Sequence, residues 1–346
     1  MTARAFITGI SGTALTPEEI FFLREASPWG LILFKRNIET PGQVAGLTAS
    51  FRKAVGRNAP ILIDQEGGRV QRLAPPHWPV YPPGAAYGRV YDRAPTAGIK
   101  AAWLGARLIA ADLSAIGIDV DCLPLADVPV PGSDPIIGDR AYGDSCEKVT
   151  LVARSVAEGL LAGGVLPVLK HIPGHGRATS DSHGALPVVD SSRADLEATD
   201  FAAFRPLFDL PMAMTAHVVY TAIDPIAPAT TSATLVREVI RDWIGFRGLL
   251  MSDDISMGAL SGPIAARSRA AIAAGCDLVL HCNGHLGEMR EVAAAVPVLA
   301  GDAAAHADAA LGRRGPAWNH DLPALRAELA TLLGQGVLTG KRVASS

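Results

Sequence analysis

Five residues able to move protons or bind ions fall within one short stretch of this chain. Lys170, His171 and His175 lie in Lys170-His171-Ile172-Pro173-Gly174-His175-Gly176, and Asp181 and His183 follow in Asp181-Ser182-His183. The proline and glycines argue against a helix there. Histidine has the side chain whose ordinary pKa lies nearest neutrality, so a cluster on a loop points to proton transfer or metal binding. Asp181 stands two residues before His183 and can fold back onto one ring nitrogen. That contact would set the tautomer, stabilise an imidazolium and leave the other nitrogen free to exchange a proton. An isolated Asp-x-His pair is more often a solvated contact, but this one follows Lys170, His171 and His175. His171, His175 and His183 could instead ligate zinc with Asp181 in support. The His-x₃-His spacing serves a metal best on a helix, so catalysis is the preferred reading and no metal is expected.

Two further segments carry chemistry. Ser252-Asp253-Asp254 emerges from the apolar run Gly248–Met251. An ionised aspartate there can attack an electrophilic carbon, although either acid could equally cap a following helix. In Asp64-Gln65-Glu66-Gly67-Gly68-Arg69-Val70-Gln71-Arg72, an acid ends an apolar run and two glycines follow. Asp64 can accept hydrogen bonds from hydroxyls, and the glycines would let the backbone approach a ligand. Gly138-Asp139-Arg140 offers a second guanidinium. Taken singly, Arg69, Arg72 and Arg140 are more often solvated or ion-paired than ligand contacts.

These groups need a scaffold. Apolar runs at Ala5–Gly9, Gly30–Phe34, Ile61–Asp64, Asp119–Leu123, Leu166–Lys170, Met212–Ala216, Gly248–Ser252 and Asp277–His281 read as strands. Helical patterns lie between them at Thr96–Ile116, Glu147–Gly163, Ser192–Phe208, Ser232–Ile244 and Pro263–Ala274. Thr16-Pro17-Glu18-Glu19 and Thr40-Pro41 look like helix starts. Eight strand–helix units predict an α/β fold, a single (β/α)₈ barrel of the TIM type, with a doubly wound sheet as the alternative. Asp64, Asp127, Lys170, His171, His217, Asp253 and His281 each stand at a strand's C-terminal end, where barrels build their sites. The reading is one domain over residues 1–346, with a last helix at Leu322–Leu333 and a short polar tail.

The 346 residues are 49% hydrophobic with a formal charge of −3, which suits a large core and argues against nucleic acid or an anionic membrane as partner. No apolar run approaches the roughly 18 residues of a membrane span. No secretion signal is read at the start, and the four cysteines, Cys122, Cys146, Cys276 and Cys282, suit reduced thiols in the cytoplasm. Neither GxGxxG nor GxxxxGK[ST] occurs, so no nucleotide cofactor is expected. The chain is read as a monomer.

The segments Asp64–Arg72, Lys170–Gly176, Asp181–His183 and Ser252–Asp254, in this order along the chain, resemble those of glycoside hydrolase family 3. More narrowly, they are similar to those of the bacterial β-N-acetylglucosaminidases of peptidoglycan recycling, from about residue 5 to 300. The resemblance implies a (β/α)₈ barrel and retaining removal of terminal, non-reducing β-linked N-acetylglucosamine from 1,6-anhydro-muropeptides. It implies Asp253 as nucleophile, His183 as general acid/base with Asp181 as its partner, and Asp64, Arg72, Arg140, Lys170 and His171 as sugar-binding residues. A phosphorylase or β-glucosidase on the same barrel is the alternative. A metal-dependent hydrolase or a non-catalytic sugar-binding protein ranks lower. The loop 174–184 is a candidate lid.

Overall fold

Eight short strands pair in parallel and close on themselves: β1 (Arg4–Thr8), β2 (Pro28–Leu33), β3 (Ile61–Ile63), β4 (Val120–Asp121), β5 (Leu166–Ile172), β6 (Met212–Thr215), β7 (Leu249–Asp254) and β8 (Leu278–His281). The computed structural model describes residues 3–334. Closure comes where β1 meets β8, with Phe6 opposite Val279 and Thr8 opposite His281, while Ile7 pairs with Gly30 on its other side. Phe6, Ile7, Leu31, Leu62, Val168, Met212, Leu250 and Val279 are buried. Parallel strands covered on both faces need such unbroken apolar runs, which is why the strands stand out in the sequence without alternation.

The helices that cover the barrel begin where the cap signals place them. Thr16 opens α1 (Pro17–Ala26) with a reciprocal capping box: its hydroxyl accepts from the Glu19 amide at 3.1 Å, and Glu19 accepts from the Thr16 amide at 2.9 Å. Thr40 caps α2 (Pro41–Val55) by accepting from the Gln43 amide. Then come α3 (Gly84–Arg93), α4 (Pro95–Ser114), α5 (Cys146–Ala162), α6 (Arg193–Ala198), α7 (Ile264–Ala274), α8 (Leu286–Ala295), α9 (Gly301–Gly312) and α10 (Leu322–Leu333). The helix expected at the C-terminal end is α10, packed on α4; the polar tail expected beyond it lies outside the described residues.

Three expectations change. The single helix over Ser192–Phe208 is broken into α6 and a short 3₁₀ turn at Arg205–Leu207. The backbone leaves helical angles at Thr199 (φ −127°, ψ −84°), whose hydroxyl bonds the Asp195 carbonyl, and Pro206, with no amide to donate, stands at the start of the 3₁₀ turn. The helix expected over Ser232–Ile244 spans Leu235–Trp243 and is wound wide, with the Ile244 amide reaching the Val239 carbonyl five residues back. Strand β5 runs on to Ile172, so His171 belongs to a strand and not to the loop assigned to it above. No described helix is long and apolar enough to cross a membrane. All four cysteines are free, and Cys122, Cys276 and Cys282 are buried.

Candidate active site

A cleft opens at the C-terminal ends of the strands. Asp64, Glu66, Arg72, Arg140, Lys170, His171, His175, Ser182, His183, Asp253 and Asp254 all line it. Of the residues expected from the sequence to form the site, only Asp181 does not face the cleft directly, and it touches His183, which does.

One wall is a buried ionic cluster. Lys170, on β5, lies between two acids that leave β3: its Nζ is 3.0 Å from Asp64 Oδ1 and 2.7 Å from Glu66 Oε1. Arg72 reaches the other Asp64 oxygen at 3.1 Å, and Arg140 grips Glu66 with two parallel bonds of 2.8 and 2.9 Å. Burial alone would raise the Asp64 and Glu66 carboxyls, but Lys170 with Arg72, and Lys170 with Arg140, hold them below the usual carboxylate range. Burial likewise opposes the Lys170 charge, and the two acids overcome it and push its pKa up. Arg72 also stacks over Phe34, its Cζ 5.5 Å from the ring centroid, with Arg36 at 5.0 Å.

Gly67 and Gly68 bend the chain so that Glu66 and Arg72 return to the same cleft. Both have left-handed backbones (φ +96° and +58°), and a Cβ at Gly67 would lie 2.3 Å from the Pro82 carbonyl oxygen. Both glycines lie close against the chain at Pro82 and Pro83. Arg69 turns away, pairing with Asp139 at 3.0 Å.

The histidines have separate tasks. His171 Nδ1 lies 2.7 Å from Asp127 Oδ2, and Asp127 also accepts the His175 amide at 2.6 Å. Although burial opposes it, the charge and hydrogen bonds of His171 and His175 bring the Asp127 pKa down to about 2. His175 Nε2 is 3.2 Å from Ser182 Oγ, and its pKa is lowered by burial and then by His171. His183 gives both its amide (2.9 Å) and its Nδ1 side (2.7 Å) to Asp181 Oδ1, leaving Nε2 without a partner among the described residues on a side chain 68% exposed. Burial would raise Asp181, but these two bonds lower it. The three histidines considered above as a zinc set are thus committed to three different partners, and no three metal-binding side chains are grouped among the described residues.

The two aspartates at the end of β7 also divide. Asp254 serves a turn, accepting from the Ser256 amide (3.0 Å), the Ser256 hydroxyl (2.6 Å) and the Cys282 amide (3.1 Å). Asp253 accepts only the Asp254 amide at 2.7 Å among the described residues. Burial works against its charge, yet His217, His171, that amide and Lys170 hold it below the usual carboxylate range. His217 bridges Thr230 and the Asp254 carbonyl, fixing the backbone on which both acids sit. The cleft therefore sets a half-buried anion, a braced imidazole open to solvent and a fixed set of donors around one space.

Glu66, Asp127, Phe34 and His217 are site residues to which the sequence reading gives no role. Glu66 was findable: it stands two residues after Asp64, and extended backbone puts such residues on one face. His217 and Asp127 show only as polar residues at strand ends.

The glycosyl hydrolase family 3 N-terminal domain matches residues 22–313 of this chain. The β-hexosaminidase of Alkalilimnicola ehrlichii is 41% identical over 281 residues, which is 80% of this chain and 79% of that protein. That of Bordetella parapertussis is 39% identical over 280 residues, covering 79% and 78%. Among solved structures, NagZ from Neisseria gonorrhoeae in complex with N-trifluoroacetyl-D-glucosamine superposes with a TM-score of 0.87 at 32% identity, over 96% of this chain and 99% of that one. The chain therefore belongs to glycosyl hydrolase family 3 and is a glycoside hydrolase of the β-N-acetylhexosaminidase type.

Proposed function

We propose that this chain is a retaining exo-β-N-acetylglucosaminidase that removes terminal β-linked N-acetylglucosamine from 1,6-anhydro-muropeptides by way of a covalent glycosyl-aspartate. The observation that carries this reading is the division of labour between the two aspartates: Asp254 is spent on a turn, while Asp253 is kept ionised at the wall of the cleft that His183 overlooks. Asp253 attacks the anomeric carbon as His183, as imidazolium, gives its Nε2 proton to the departing oxygen. The neutral imidazole then takes a proton from water, which displaces Asp253 and returns the sugar with its configuration retained. Asp181 occupies Nδ1 of His183 and so leaves Nε2 as its proton-transfer nitrogen. Asp64, Arg72, Arg140, Lys170 and His171 hold the sugar, with Glu66 and Asp127 fixing the cations and the imidazole that do so.

A neutral imidazole as the second-step base does not repel the carboxylates of a muropeptide, which supports that substrate class. The enzyme is proposed to work as a monomeric one-domain barrel in the cytoplasm, without cofactor or metal. Its test is release of nitrophenol from aryl β-N-acetylglucosaminide and aryl β-glucoside, each with and without phosphate. Strong preference for the N-acetyl substrate without need of phosphate is expected. Activity on the glucoside alone, or only with phosphate, would overturn the substrate or the reaction.

A further inference from the structure

The Asp181–His183 contact lies wholly within one loop, so it orients the imidazole relative to that loop but not to Asp253. Between Ile172 and Val188 the chain forms neither helix nor strand. Something else must hold the loop in register with the nucleophile. The Asp134 amide holds the Ala178 carbonyl at 2.8 Å and Asp200 holds Arg177 at 2.9 Å, and nearer the imidazole three hydrogen bonds meet at Ser182 and His183. His175 Nε2 holds the Ser182 hydroxyl at 3.2 Å, the Ala259 amide donates to the Ser182 carbonyl at 3.1 Å, and the Gly258 amide donates to the His183 carbonyl at 3.2 Å. Ser182 is only 4% exposed, although the side chains on either side of it are open to solvent.

The two amides belong to the turn that Asp254 and Ser256 build directly after Asp253. The loop carrying the imidazole therefore docks on the same turn that carries the attacking carboxylate. The dock leaves no room for a side chain: a Cβ at Gly258 would stand 2.8 Å from the His183 carbonyl oxygen and 3.2 Å from that of Gly184. On the other side, the His175 backbone is tied to Asp127 and through it to His171, so the latch is anchored in the barrel wall.

We propose that Ser182, His175 and Gly258 are positioning residues that set where the His183 imidazole stands relative to Asp253. This rests on the reading of His183 as acid/base, and it extends that reading to residues that act through His183. A neutral hydrogen bond of this kind contributes about as much as a tenfold change in an equilibrium. Loss of one lets the loop populate positions from which Nε2 cannot reach the glycosidic oxygen.

The test is kcat/KM across aryl N-acetylglucosaminides of graded leaving ability, for the wild type, Ser182→Ala, Ser182→Thr, Gly258→Ala, His183→Ala and the Ser182→Ala/His183→Ala double variant. Because the slope against leaving ability is a ratio within one protein, a reduced folded fraction does not alter it. Ser182→Ala and Gly258→Ala are expected to lose about tenfold on the phenyl glycoside and little on the dinitrophenyl glycoside. Ser182→Thr, which keeps the hydroxyl, should regain the wild-type slope. In the double variant the Ser182 change should cost nothing further, since it acts through a residue already gone. Equal losses across all leaving groups, or a full additional loss in the double variant, would overturn the proposal while leaving His183 in its role. A flat slope for His183→Ala would overturn both.

Discussion

Replacing Lys170 with Met tests the ionic wall of the cleft. The substitution keeps the side-chain volume and removes one charge from between Asp64 and Glu66, both of which lie against Lys170 Nζ within 3.0 Å. Removing one partner from a buried pair costs about 3–5 kcal/mol when the remaining ion has no other partner. Here Arg72 stays on Asp64 and Arg140 on Glu66, so the lower end, about 3 kcal/mol, is expected. The pH dependence gives the sharper test. In the wild type Asp64 and Glu66 are held below their ordinary values, so their ion pairs add stability above the unfolded carboxylate range, about pH 4. That stability is lost only as pH falls through the still lower folded values. In the variant the two acids face one another with less compensation, and the shared site takes up a proton on folding. A folded pKa raised in this way favours the folded state as pH falls, so the deficit should shrink between pH 7.5 and 5. Urea denaturation at both pH values measures it. A deficit equal at the two pH values, or absent at pH 7.5, would refute the assignment of Lys170 as the charge that keeps both acids ionised.

Asp254→Asn should keep measurable turnover while lowering stability by about 2 kcal/mol, since it weakens a turn that carries three hydrogen bonds; loss of all activity with stability unchanged would mean that the wrong aspartate is assigned to the chemistry. Asp127 has a folded pKa of about 2, below its unfolded value, so it contributes stability above about pH 4 that fades as pH falls toward 2. Asp127→Asn should flatten acid denaturation across that window and, by leaving the His171 tautomer unset, cut kcat/KM about 10–100-fold. An unchanged acid transition would contradict it. Gly67→Ala meets both a left-handed backbone and the Pro82 carbonyl, so a loss of about 2 kcal/mol or more is expected in thermal unfolding, with KM raised through Glu66 and Arg72.

The barrel is legible in the sequence because strands buried on both faces must be unbroken apolar runs, and six of the eight carry a polar residue at or just past the exit that the sequence reading names. Helix starts are legible where the signal is local, as in the Thr16–Glu19 box. The division of Ser192–Phe208 is less so, because it depends on a hydroxyl returning to its own backbone and on one proline against an otherwise helical pattern. In the site, the Asp181–His183 contact spans two residues and can be read directly. The Asp127–His171 and Lys170–Asp64 contacts join residues 44 and 106 apart, and only closure of the barrel brings them together. Which of two adjacent aspartates is engaged by the turn is likewise beyond composition. It depends on the fold around Ser256 and on the Cys282 amide at the neighbouring strand's exit.

The central claim is that Asp253 becomes bonded to the sugar. It is tested most directly by treating the enzyme with a 5-fluoro-N-acetylglucosaminyl fluoride, which forms a glycosyl-enzyme faster than it is hydrolysed, and then mapping the added mass by peptide sequencing. One sugar residue on Asp253, absent from Asp253→Ala, is the predicted result. A label on Asp254, or no label together with inversion at the anomeric carbon by NMR, would contradict it.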